Sequence, residues 1–282
     1  MSGVNLKYVA SSGREYNLRS ETLRTRRGAS FHAWKYDPSA VALQYGERVT
    51  AFTKDAATYE ATLTLFGTDE EKLALLDQMH DDFELDMRNV TPGRLIWNDY
   101  YIDCFASESE TDPDDSNFLV DNKVSFYCPN PFWIREKTRH FYSRAGDTQE
   151  AFLDYPYDYP YDYFSGVSGA VSWPTEIPFE SDFKMIIFGP VVDPRILING
   201  HGYQILDTLE QSERITIDSK KGTIVKTLAN GRAENAFDLR NKAESVFDKL
   251  PAGTLRISWP GTFGFDLTLF EERSEPRQEV RT

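Results

Sequence analysis

The chain has 282 residues, 40% of them hydrophobic, 14% aromatic and 27% charged, a composition that supports two ordinary cores of ~110 to 140 residues each. No apolar run approaches the ~18 residues that a membrane-spanning helix needs, and the hydrophobic content excludes general disorder. The formal net charge is −14, spread evenly over the two halves. Such a chain repels nucleic-acid phosphates, whose neutralisation needs clustered Lys and Arg, so sequence-specific DNA binding is disfavoured.

Met1 to Ala10 is polar and alternating, and it lacks the basic stretch, apolar run and small-residue cleavage site of a secretory signal. Its first strand signal is Val4 to Val9. A longer strand is predicted over Ala57 to Phe66, with Tyr59, Ala61, Leu63 and Leu65 on one face and Gly67 ending it. One helix follows. Thr68 and Glu71 have capping-box spacing, Asp69, Glu70 and Glu71 suit the positive end of the dipole, and Leu73, Leu76, Met79 and Phe83 form an apolar stripe. The helix is expected over about 69–87, with the acids off that stripe forming a solvated face.

Gly93 to Trp97 and Tyr100 to Phe105 read as a hairpin turning at Asn98-Asp99. Ala106 to Asn117 is predicted to be an exposed acidic loop, followed by a strand over Phe118 to Pro129. Cys104 and Cys128 both fall in strand patterns, and two thiols are no disulfide framework, which suits a folding compartment that keeps thiols reduced. Residues 153–164 repeat Asp-Tyr-Pro-Tyr. Prolines at this spacing forbid a helix interior or a central strand, so an extended connector carrying Tyr155, Tyr157, Tyr159, Tyr161 and Tyr163 is expected.

Beyond the connector, about seven short strands suggest a second β-sandwich. They are Phe183–Phe188, Arg195–Ile198, Gly202–Leu206, Arg214–Asp218, Thr223–Thr227, Gly253–Trp259 and Phe265–Phe270, with turns at Asn199-Gly200, Lys221-Gly222 and Asn230-Gly231. The expected division is an N-terminal domain over 1–143, a connector over 144–169, a second sandwich over 170–272 and a charged, frayed tail over 273–282.

Motifs for chemistry are sparse. His32, His80, His140 and His201 are scattered, without zinc-ligand spacing. The loop from Asp112 to Asn117 lacks the glycine of a calcium loop and places Lys123 where a bidentate Glu belongs. Neither a nucleophile elbow nor a phosphate-cradling glycine loop occurs, so no catalytic residue, metal or cofactor is expected. A carboxylate pair of the glycosidase kind is beyond sequence to exclude among 45 acids.

Arg24, Arg26 and Arg27, with Arg14 and Arg19 upstream, stand out against the acidic background. They suit either a strand edge guarded by charge or a subunit interface against an acidic neighbouring surface. The Tyr-Asp run suits either a linker packed between domains or a sugar-stacking strip. On a carbohydrate-binding reading, Trp173, Tyr203 and Trp259 would supply the stacking face.

The order of these features resembles the distal tail proteins of long-tailed bacteriophages with non-contractile tails, over nearly the whole chain. The matching pieces begin with Tyr16-Asn17-Leu18, the strand and helix at 59–87, Gly93 to Trp97, Phe126 to Trp133 and the Tyr-Pro-Tyr-Asp run. They continue with Phe188-Gly189-Pro190, Ile196 to Gly200, Gly202-Tyr203, Glu213 to Asp218, Asn230-Gly231, Phe247 and Leu255 to Trp259.

The resemblance implies a mainly β fold of two sandwiches, the first with an added helix and the second galectin-like. It implies a non-enzymatic ring, usually hexameric, at the virion's tail tip, assembled in the bacterial host cytoplasm. The implied partners are the chain itself, the tail tube protein, the tape measure protein and the tail-tip or tail-associated lysin protein, around a channel for DNA. Some such proteins carry an inserted carbohydrate-binding module, for which this chain is too short and too continuous.

Overall fold

The computed structural model describes residues 4–26, 29, 31–113, 120–143, 170–175 and 177–277. The chain divides into two compact units, Met1–Arg135 with Glu272–Thr282 and Glu136–Glu271. The segment from 144 to 169, with Tyr155, Tyr157, Tyr159, Tyr161 and Tyr163, lies outside the described residues.

The first unit contains β1 (Leu6–Val9), β2 (Glu15–Asn17), β3 (Leu23–Thr25), β4 (Asp37–Ala42), β5 (Glu47–Thr53), β6 (Ala57–Leu65), α1 (Asp69–Arg88), β7 (Gly93–Trp97), β8 (Tyr100–Pro113), β9 (Val120–Cys128) and the start of β10 (Trp133–Phe141). β8 is its organising strand. Tyr100 to Cys104 pair with β7 in the order β2-β1-β7-β8, whereas Phe105 to Pro113 pair with β9, which continues to β6 and β3. A register shift between Ala106 and Glu108 marks the change of partner. A bulge bends and twists its strand, which lets one strand serve two sheets.

The acidic segment is therefore strand, not loop, as far as Pro113. Its acids Glu108 and Glu110 lie opposite Ser125 and Lys123, so cross-strand pairing accommodates them without apolar alternation. The rest of the expected loop, 114–119, lies outside the described residues.

Helix α1 starts where expected. Thr68 accepts from the Glu71 amide while the Glu71 carboxylate accepts from the Thr68 amide. Its buried face differs from the predicted stripe, since Leu73 is 55% exposed, while Lys72, Leu76, Met79, Asp82, Phe83 and Asp86 are buried. Two acids expected in solvent thus face inwards. They are tolerated because each is hydrogen-bonded. Asp82 accepts from Tyr16, from Arg14 Nη1 at 3.0 Å and from Ser12 Oγ at 3.1 Å, and Asp86 accepts from Tyr8 at 2.6 Å and the Ser11 amide at 3.0 Å.

The second unit holds the remainder of β10, β11 (Val171–Pro174), β12 (Phe183–Phe188), β13 (Val191–Val192), β14 (Arg195–Ile198), β15 (His201–Gln204), β16 (Thr208–Leu209), β17 (Arg214–Asp218), β18 (Thr223–Thr227), β19 (Ala233–Asn235), β20 (Thr254–Ser258) and β21 (Phe265–Arg273) up to Glu271. One sheet runs β19-β18-β17-β12-β21 and ends on β10; the other runs β11-β20-β14-β15. Alternate residues Met185, Ile187, Ile215, Ile217, Ile224, Leu267 and Leu269 from the first sheet meet Ile196, Ile198, Tyr203, Leu255 and Ile257 from the second in one core. That is the two-sheet packing expected of alternating strands. The turns form as expected at Asn199 and Gly200, with φ of 49° and 90°, and at Gly222 and Gly231.

Candidate assembly surface

Two features stand out on the surface of the first unit. The first is an arginine-lined cleft. β3 pairs with β6 so that Leu23 points into the core and Arg24 points out, and an isolated bridge sets Arg19 opposite Arg24. Pairing of Leu6 with Trp97 brings the indole alongside. The result is a cleft of about 400 Å³ lined by Leu6, Arg19, Arg24, Thr25, Arg26, Ala29, Phe31 and Trp97.

Among the described residues three guanidiniums and no carboxylate line this cleft. Arg19 lies over the Trp97 ring at 5.5 Å, and Arg24 lies over Phe66 at 5.9 Å while donating through Nε to the Ser20 carbonyl at 3.2 Å. Among the described residues neither has a carboxylate partner. Arg26 differs, with Nη1 2.6 Å from Asp121. Of the predicted arginine cluster, the fold brings Arg19, Arg24 and Arg26 together. It sends Arg14 to Asp82, and Arg27 lies outside the described residues.

The second feature was not predicted. Among the described residues β4 and β5 pair only with each other, and every residue of β5 is exposed. Exposed apolar side chains lie along this ribbon and its flanks, with Val41 at 52%, Leu43 at 55%, Tyr45 at 86% and Phe52 at 62%. Its base is fixed by Lys54, whose ammonium donates to the Pro131 carbonyl at 2.7 Å and sits 4.3 Å from the centre of the Phe132 ring. Burial there holds the Lys54 ammonium below its ordinary pKa. The signal available in sequence was Val41, Leu43 and Tyr45 at spacing two, followed by Gly46, whose φ is 77°.

The aromatic set Trp173, Tyr203 and Trp259 does not form an exposed stacking face. Tyr203 and Trp259 are 2% and 4% exposed, with Tyr203 Oη donating to the Asp248 carbonyl at 3.0 Å and Trp259 Nε1 to the Phe263 carbonyl at 3.1 Å. Burial, and then the Asp248 charge, push the Tyr203 phenol up. Trp173 is half-buried, with its ring 6.4 Å from Phe141. Tyr203 takes an inward position on β15, and Trp259 directly follows β20, whose alternate residues Leu255 and Ile257 are buried.

Cys104 and Cys128 are free thiols with no solvent exposure, and burial raises the Cys104 thiol well above its ordinary pKa, with Cys128 adding to the shift. Among the described residues no group of three or more His, Cys, Asp or Glu could hold a metal ion, and no helix is long and apolar enough to cross a membrane.

The chain matches no protein-family model and no curated protein. Solved structures do match it over almost its full length. A chain in the structure of the phage P2 baseplate in its activated conformation with Ca aligns at TM-score 0.66 and 11% identity, covering 97% of this chain and 100% of that one. The corresponding structure with Sr gives 0.66 and 10%, covering 98% and 100%. The SPP1 Dit (gp 19.1) protein, described as a paradigm of the hub adsorption apparatus in phages infecting Gram-positive hosts, aligns at 0.58 and 10%, covering 95% and 99%. The resemblance drawn from the order of motifs is thus matched in three dimensions: the chain has the fold of phage baseplate and hub proteins.

Proposed function

We propose that this protein is the structural hub of a long, non-contractile phage tail, a ring of identical copies that joins the tail tube to the tip proteins. The observation that carries this reading is the β4–β5 ribbon. An isolated two-stranded ribbon is marginal in water, and one that bares apolar side chains along its length needs a partner surface to hold it. Covering Val41, Tyr45 and Phe52 would contribute roughly 1.5 to 3 kcal/mol for each side chain fully buried. A second copy of the chain is the partner that the likeness to baseplate and hub proteins favours.

On this reading the protein is a virion tail component and not an enzyme. Its neighbours are the tail tube, tape measure and tail-tip or lysin proteins, and the ring, six-membered as the resemblance implies, leaves an axial channel for DNA. Assembly takes place in the host cytoplasm, where the two buried thiols stay reduced.

The test is light scattering with negative-stain microscopy on the wild type and on a variant with Val41, Leu43, Tyr45 and Phe52 changed to Ser. Rings for the wild type and monomers for the variant support the hub. A wild type that stays monomeric at high concentration, or a variant that still forms the same rings, removes the ribbon as the observation on which the reading stands.

A further inference from the structure

We infer that the cleft between Arg19, Arg24 and Trp97 receives the Tyr-Asp segment, residues 153–163, of a second copy of the chain. The inference rests on the hub reading, because it needs copies held side by side. It starts from an imbalance of charge. In a chain of net charge −14, this cleft is lined among the described residues by three guanidiniums and no carboxylate; Arg26 is paired with Asp121, whereas Arg19 and Arg24 have no carboxylate partner among the described residues.

The manner in which these arginines are held narrows the occupant. One face of Arg19 rests on Trp97 and one face of Arg24 on Phe66, and although Arg24 Nε donates to the Ser20 carbonyl, its two Nη groups, like the edge of Arg19, have no carboxylate partner among the described residues. A bidentate carboxylate and an aromatic ring are therefore the two groups that the cleft takes together. About 400 Å³ is room for two or three such side chains and too little for a folded element.

Residues 153–163 supply this pairing in sequence. Asp154, Asp158 and Asp162 recur every fourth residue, Asp154 followed by a tyrosine and the other two flanked by tyrosines on both sides, and Pro156 and Pro160 bar an α-helix. The acidic stretch Asp112 to Asn117 offers carboxylates without aromatic rings, so it answers the charge of the cleft but not its stacking faces.

The experiment uses full-length protein with the photo-crosslinker p-benzoylphenylalanine replacing Tyr157, assembled as a mixture of ordinary and ¹⁵N-labelled copies. After illumination, mass spectrometry should find residue 157 joined to peptides spanning Arg19 to Arg26, with light–heavy pairs present. These crosslinks should fall at least tenfold with Arg19→Glu and Arg24→Glu together, both at exposed positions, in variants whose circular dichroism and melting match the wild type, and with Asp154, Asp158 and Asp162 changed to Asn. Intact rings whose crosslinks avoid the cleft, or join only residues of the same copy, overturn this inference and leave the hub reading standing. Light scattering that shows only monomer overturns the hub reading first, and the inference with it.

Discussion

Tyr8 on β1 donates its hydroxyl to Asp86 on α1 at 2.6 Å across 78 residues of sequence, and both side chains are buried. The bond fastens the helix to the β1–β2 hairpin. Tyr16, on the neighbouring strand, repeats the arrangement one turn earlier by donating to Asp82. The helix is thus held by paired phenols and carboxylates as well as by Met79 and Phe83, and the rings of Tyr8 and Phe83 meet edge to face at 5.3 Å.

Tyr8→Phe removes one donor from a buried carboxylate, so it should cost about 1.5 to 3 kcal/mol at neutral pH in a urea titration. The pH dependence follows from the direction of the shift. Burial, and then the Asp86 hydrogen bond, raise the folded-state pKa of Tyr8 above its ordinary value of 10.0. Its contribution is full below that unfolded-state value and is lost as pH rises beyond it. The wild type should therefore lose stability above about pH 10 more steeply than Tyr8→Phe. Parallel alkaline limbs would show that the phenol does not carry this linkage.

Gly93 is where β7 passes closest to that bond. A Cβ there would run into the Tyr8 hydroxyl and lie 2.9 Å from Asp86 Oδ2. Gly93→Ala should destabilise by about 1 to 3 kcal/mol through overpacking. Combining it with Tyr8→Phe, which removes the obstructing oxygen, should cost less than the sum of the two single changes. Strict additivity in melting experiments would mean that the clash is relieved by backbone movement instead.

How far this architecture could be read from sequence depends on what each residue's neighbours are. The capping box at Thr68 and Glu71, the inward row of Tyr59, Ala61, Leu63 and Leu65, and the turn at Asn199-Gly200 are local signals, and the fold keeps them. Asp82 and Asp86 were expected in solvent because their partners Tyr16 and Tyr8 lie 66 and 78 residues away. β10 was missed for the opposite reason. Its outward positions carry Glu136, Thr138 and His140 between charged neighbours, and no apolar alternation remains to announce a strand. The β4–β5 ribbon escaped because its apolar residues face outwards, where the core of one chain offers no pattern to match. Of the candidate site, the grouping of Arg24 with Arg26 was legible, whereas the approach of Trp97 depends on the pairing of β1 with β7.

The exposed ribbon should also be the first place a protease reaches in an unassembled copy. Limited chymotrypsin digestion of the monomeric hairpin variant with Tyr45 restored should cut after Tyr45, which is 86% exposed beside the Gly46 turn. In the rings proposed for the wild type the same bond should resist at least tenfold longer. Equal cleavage rates would mean that the ribbon stays bare in the assembly and does not form its contacts.

The second unit provides the last prediction, which concerns where it begins. A cut within the expected connector, leaving residues 170–271, separates residues 136–141 of β10 from the sheet in which they lie. Those residues are tied into that sheet at several points. Phe141 stacks on Phe265 with ring centres 4.5 Å apart and planes 6° from parallel, and its edge meets Trp259 at 5.6 Å. Thr138 and Thr268 share a hydrogen bond of 2.8 Å, His140 Nδ1 lies 2.6 Å from Asp266, and Lys137 lies 3.4 Å from Glu271, whose side chain is 1% exposed. Losing Phe141 alone forfeits roughly 1.5 to 3 kcal/mol of burial. It also bares β21, the strand that supplies Phe265, Leu267 and Leu269 to the core, as an unprotected edge. Fragment 136–271 should therefore fold with a cooperative melt, while fragment 170–271 should melt at least 10 °C lower or aggregate, the melting shift expected when a domain of this size loses several kcal/mol. Coincident melts followed by circular dichroism would show that β10 adds nothing to the second core, and would move its start to the far side of the Tyr-Asp segment.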